Sequence, residues 1–69
     1  MVVEDSQQLG RAIAVRRREL GLSQEEVAYV VGRHRRVIGE LERGKPTVRL
    51  QIAIDVCRAL GLDLSVTSR

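Results

Sequence analysis

Arg33, Arg35, Arg36, Arg43 and Lys45 crowd one short stretch of this sequence, opposed there only by Glu40 and Glu42. A guanidinium offers N–H donors in a planar fork and keeps its charge throughout the working pH range, so such a cluster binds oxyanions. The chemistry on offer is polyanion binding. General acid–base work needs a paired acid and base, covalent catalysis needs a nucleophile beside an activator, and phosphate transfer needs a glycine-rich loop. None of these patterns occurs, and no enzyme is expected. His34 is the only histidine and sits in no cluster with metal-ligand spacing, so neither a metal nor a cofactor is expected. Cys57, the only cysteine, falls on an apolar helical stripe and reads as a small core residue before it reads as a nucleophile.

Those cations need a scaffold. At 69 residues the chain makes one domain, 1–69, with its core over 6–61. A domain this small buries only about 60% of the surface its unfolded chain exposes. A lone cysteine closes no internal disulfide, which leaves oligomerisation as the expected reinforcement. The apolar fraction, 43%, comes almost wholly from Val, Leu, Ile and Ala, with Tyr29 the sole aromatic, a composition that suits packed helices better than a sandwich. The net charge of +3 is by itself a weak pointer to a polyanion, and its concentration between positions 33 and 45 is the stronger one. No apolar run is long enough to span a membrane. The opening Met1 to Asp5 lacks the basic-then-apolar layout of a signal peptide. The unpaired cysteine agrees with a cytoplasmic location.

Four helices are predicted, each followed by a glycine at the place of a left-handed cap: Gly21, Gly32, Gly44 and Gly61. Asp5 with Gln8 resembles a capping box and opens the first helix, roughly 6–20, with Leu9, Ala12, Ile13 and Leu20 on its inner face and Arg11, Arg16 and Arg18 elsewhere. Ser23 with Glu26 is a second capping box and starts a short helix that ends before Gly32. A third helix runs from about His34 to Arg43. The fourth starts near Thr47 or Val48, after Pro46, and carries Leu50, Ala53, Ile54, Cys57 and Leu60 as its buried stripe. Over 62–67 the period changes to two: Leu62, Leu64 and Val66 alternate with Asp63, Ser65 and Thr67, which reads as a strand. One strand has no partner within a helical domain, so pairing with the same strand of a second molecule is expected, the alternative being a frayed terminus.

From Gln24 to Leu41 the spacing is that of two short helices crossing steeply. Val27 and Ala28 face inward, and the small Ala28 lets the next helix approach. Val31 closes the first of the pair, Gly32 gives the backbone freedom for the turn, and Ile38 with Leu41 anchors the second to the core.

Leu20-Gly21-Leu22-Ser23-Gln24-Glu25-Glu26-Val27-Ala28, then Val31-Gly32, then Ile38-Gly39-Glu40-Leu41-Glu42-Arg43-Gly44 resembles the Xre family of phage-repressor-like regulators over roughly residues 6–62. The run Glu40 to Thr47, together with the expected strand, is similar to the HipB-like branch of antitoxin repressors. The resemblance implies a lambda-repressor-like, all-α helix-turn-helix domain whose C-terminal strand is shared across a homodimer. It implies a repressor of double-stranded operator DNA, the antitoxin of a toxin–antitoxin pair, with a HipA-like kinase toxin as protein partner. The alternative is a module whose main task is that protein partner, with DNA secondary.

By position, the resemblance implies that Arg35, Arg36, Gly39 and Glu40 read bases in the major groove. Gln24, Arg43 and Lys45 would hold phosphates, and Glu42 would pair with Arg17 of the first helix. Arg33 and His34 depart from the usual small apolar residue and good cap of that family, and they would serve as extra phosphate contacts or loosen the start of the recognition helix. Other readings stay open. Arg36 and Glu40 also have the spacing of an ordinary i, i+4 ion pair on a solvated face. Gln24 also suits the first turn of any helix. Tyr29 and Val30 form either a small patch for a protein partner or an overhang of the core.

Overall fold

The structure, a computed structural model, describes residues 2–69. It contains four helices: α1 (Ser6–Glu19), α2 (Gln24–Val31), α3 (Arg35–Glu42) and α4 (Leu50–Ala59). Asp5 caps α1 by accepting from the Gln8 N–H at 2.8 Å. The return half of that box is shifted by one residue, because the Gln8 amide oxygen accepts from Glu4, at 2.7 Å, and not from Asp5. The box at α2 is complete: Ser23 Oγ accepts from the Glu26 N–H and the Glu26 carboxylate accepts from the Ser23 N–H. Gly32 ends α2 at φ 70°, the left-handed region that a side chain disfavours, and this turns the chain sharply into α3.

One apolar centre holds the helices together, with Ile13, Val27, Ile38, Val56 and Leu60 at its most buried positions. α3 lies against both α2 and α1, and α4 closes the far side of α2.

Two predicted faces hold in part: Ile13 of α1 and Ala53, Cys57 and Leu60 of α4 are buried as expected and Leu9 packs against the core, while other positions differ. The inner face of α1 is Gly10, Ile13, Ala14 and Arg17, while Leu20 is exposed. Gly10 sets this orientation: a Cβ there would stand 2.5 Å from the carbonyl oxygens of Leu41 and Glu42, so only glycine lets α1 rest on the end of α3. α4 begins at Leu50, not at Thr47 or Val48, because Pro46 to Val48 form a turn in which the Val48 N–H bonds the Lys45 carbonyl. Its buried residues are Ile52, Ala53, Val56 and Cys57, and Leu50 is left 70% exposed.

The expected strand at 62–67 is not formed within the single chain. The Leu62 N–H bonds the Cys57 carbonyl at 2.8 Å and its side chain rests half-buried against the core. Beyond it Leu64 and Val66 are exposed and no regular structure follows among the described residues. A strand exists through its ladder bonds, and nothing in one copy lies alongside this segment to supply them. No helix among the described residues is long and apolar enough to cross a membrane.

Candidate nucleic-acid interface

The candidate surface begins at the N-terminus of α3. His34 is its N-cap, and Nδ1 accepts from the Arg36 N–H at 3.0 Å. Acceptance there requires a lone pair on Nδ1, which leaves Nε2 as the ring nitrogen able to donate elsewhere. Arg35 and Arg36 occupy the first turn, both exposed. Neither guanidinium makes a hydrogen bond or ion pair among the described residues. The i, i+4 pair between Arg36 and Glu40 does not form. Glu40 instead bonds Lys45 Nζ at 3.1 Å, and that ammonium holds the Glu40 carboxyl below the usual carboxylate range.

Gln24, His34, Arg35, Arg36, Gly39 and Arg43 line one shallow depression of about 260 Å³. Gly39 is its buried floor, and the space its missing side chain leaves is taken up from within: a Cβ there would meet Arg43 Nη1 at 3.1 Å and Gln24 Oε1 at 3.6 Å. Arg33 and Lys45 stand outside the depression. Arg33 is exposed in the turn, its N–H bonded to the Ala28 carbonyl. Lys45 is occupied by Glu40.

Behind this surface lies a bracing network. Arg17 Nε and Nη2 grip Glu42 Oε2 and Oε1 at 2.7 and 3.0 Å, while Nη1 donates to the Leu22 carbonyl at 2.8 Å. Gln24 Nε2 donates to Glu42 Oε1 at 3.0 Å. Burial pushes the Glu42 carboxyl up, but hydrogen bonds from Arg17 and Gln24 with the Arg17 charge outweigh it and hold the group below its ordinary value. Gln24 thereby joins α2 to α3 and still has a second amide hydrogen and its carbonyl to offer outward. Sequence reasoning missed a further clamp: Arg16 Nε donates to the Leu60 carbonyl at 2.9 Å, tying α1 to the end of α4. No motif signals it, since any cation reaching a helix C-terminus would serve.

Residues 8–69 match the helix-turn-helix domain family. An uncharacterized HTH-type transcriptional regulator of Sinorhizobium fredii is 34% identical over 58 residues, 84% of this chain and 76% of that protein. A regulator of the same description from Methanothermobacter thermautotrophicus is 49% identical over 45 residues, 65% of each chain. Among solved structures, a chain of the HipB-O4 20mer complex superposes with a TM-score of 0.90 at 20% identity, covering 99% of this chain and 96% of that one. A chain of the HipA-HipB-O2-O3 complex gives the same TM-score, identity and coverage. The helices are therefore arranged as in that helix-turn-helix fold.

Proposed function

This chain belongs to the helix-turn-helix domain family, and from that premise we propose that it is a sequence-specific DNA-binding repressor, acting in the cytoplasm as a homodimer on an inverted-repeat operator. One observation carries the reading. Arg35 and Arg36 project unpaired from the first turn of α3 into a depression walled by Gln24, His34 and Arg43. An arginine fork matches the O6 and N7 acceptors of guanine, each good pair discriminating by about 1–3 kcal/mol. Around the fork stand groups suited to phosphate: the N-terminus of α2 at Gln24, the Nε2–H of His34, and the exposed guanidiniums of Arg33 and Arg43. Glu40 accepts from a cytosine amino group when Lys45 moves to a phosphate. Gly39 keeps Gln24 and Arg43 close together beneath the bases.

Two recognition helices related by a twofold axis read half-sites about 34–36 Å apart. The dimer forms through the segment that Leu62 anchors to the core, with Leu64 and Val66 gaining ladder partners when the same segment of a second copy lies alongside. A second reading, in which a HipA-like protein is the main partner, is favoured by Tyr29 and Val30. They stand 88% and 68% exposed on α2, in a depression with Leu22 and Glu25 that shares no residue with the basic one.

Selection of bound sites from random duplex tests the proposal. An inverted repeat with guanine in each half-site is expected, and recovery without any sequence enrichment would overturn it.

A further inference from the structure

Two arginines on α1 have no part in the recognition helix and none in the core. Arg11 and Arg18 are both exposed and, unlike Arg16 and Arg17 of the same helix, make no hydrogen bond or ion pair among the described residues. Seven residues apart, they lie on one face, roughly 10 Å from each other along the axis.

Both line a second depression of about 340 Å³, with the small Ala14 between them. Its other walls are Val15, Gln24, Gly39, Glu42 and Arg43, and Gln24, Gly39 and Arg43 also line the depression that holds Arg35 and Arg36. Sharing three lining residues, the two hollows adjoin and together reach from the first turn of α3, by the N-terminus of α2, to α1. The one carboxylate in the second hollow is Glu42, which Arg17 neutralises. What remains is three guanidiniums, of Arg11, Arg18 and Arg43, that make no ion pair or side-chain hydrogen bond among the described residues, with the small Ala14 and Gly39 among them.

We infer that Arg11 and Arg18 hold backbone phosphates of the same duplex whose bases α3 reads, so that α1 forms the outer wall of the DNA interface. An open hollow lined with cations and adjoining a base-reading surface suits a sugar–phosphate strand passing through it. Contacts of this kind add affinity and register and carry no sequence information. The inference rests on the DNA-binding reading above.

The experiment measures duplex affinity against salt for the full chain, Arg11→Gln, Arg18→Gln and, as control, Arg58→Gln. Arg58 is an exposed cation of α4 that lines neither hollow. Each α1 variant is expected to flatten the log–log slope by about 0.9, the release of one phosphate's counterion, and to weaken selected and random duplexes by the same factor. Arg58→Gln is expected to keep the wild-type slope. If the parent chain binds duplex and both α1 variants keep its slope, or if Arg58→Gln flattens it equally, the inference is overturned while the DNA-binding reading stands. A parent chain with no affinity for any duplex overturns both.

Discussion

Arg17 and Glu42 meet in a two-pronged ion pair at 2.7 and 3.0 Å, with side chains only 11% and 6% exposed. The pair ties α1 to the last turn of α3. Gln24 joins from α2 and the Leu22 carbonyl from the loop before it, so three helices converge on one carboxylate. Such a network rigidifies more surely than it adds net stability, since two charges have been taken from water to make it. Its effect is to hold the Arg35–Arg36 face at a fixed angle to the N-terminus of α2, the two surfaces proposed above to meet one duplex together.

Glu42→Ala leaves a guanidinium nearly out of water with no counter-charge. Breaking a buried pair from one side costs about 3–5 kcal/mol, against about 1 kcal/mol or less for a surface pair. Urea denaturation of the variant should therefore show a loss well above the surface value. A loss within the surface range would mean that the pair contributes orientation at most.

The same carboxylate sets a pH dependence. Its pKa in the folded chain lies below that of an ordinary glutamate, so its contribution is complete above the ordinary value and is lost as pH falls through the folded one. Arg17 is shifted the other way, upward, and its contribution is present across the whole acid and neutral range. Stability should fall from about pH 5 downward, in the range where carboxylates titrate. Glu26 and Glu40, also lowered, add to the fall with the same sign. Glu42→Gln should start less stable and fall less steeply. Parallel pH profiles for variant and parent would place the acid sensitivity elsewhere.

Glu40 and Lys45 give a pair of opposed outcomes at the proposed DNA surface. Replacing Glu40 by Gln frees the Lys45 ammonium, now bonded at 3.1 Å, for phosphate. Affinity for random duplex should rise several-fold with the salt slope unchanged, because Lys45 reaches the same phosphate without first leaving Glu40. Lys45→Ala should weaken all duplexes alike, whereas Arg35→Ala should relax preference at one base position, by about 1–3 kcal/mol of discrimination. Site selection and binding isotherms at two salt concentrations separate the three. Uniform weakening by Arg35→Ala would reassign it to the backbone.

Much of this interface was legible in the sequence because short-range chemistry wrote it there. The Ser23–Glu26 box, the Gly32 turn and the apolar pair Ile38 and Leu41 place α2 and α3 without reference to the rest of the chain. What stayed hidden depends on distant partners. The inner face of α1 runs through a glycine and an arginine, so apolar periodicity passed over Gly10 and Arg17 and chose Leu20, which is exposed. α4 and its cap have apolar residues at 50, 52, 53, 54, 56, 57, 59 and 60, enough for two overlapping stripes, and only its packing on α2 selects the one led by Ile52. Arg11 and Arg18 look like ordinary solvated cations until α1 is seen beside Gln24 and Arg43.

The tail offers the test of assembly. Leu62 belongs to the fold of one chain: its N–H closes α4 on the Cys57 carbonyl and its side chain covers the core. Leu64 and Val66 belong to no fold of one chain, at 49% and 102% exposed. Deleting residues 63–69 therefore separates the two roles, which deletion from Leu62 would confuse. Helical content should be preserved, because every buried residue lies before the cut. The oligomeric state by sedimentation should fall from dimer to monomer. Binding to an inverted repeat should then lose its dependence on half-site spacing, since two unlinked domains no longer share one geometry. A truncated chain that still sediments as a dimer would refute the shared strand and move the interface to the helices.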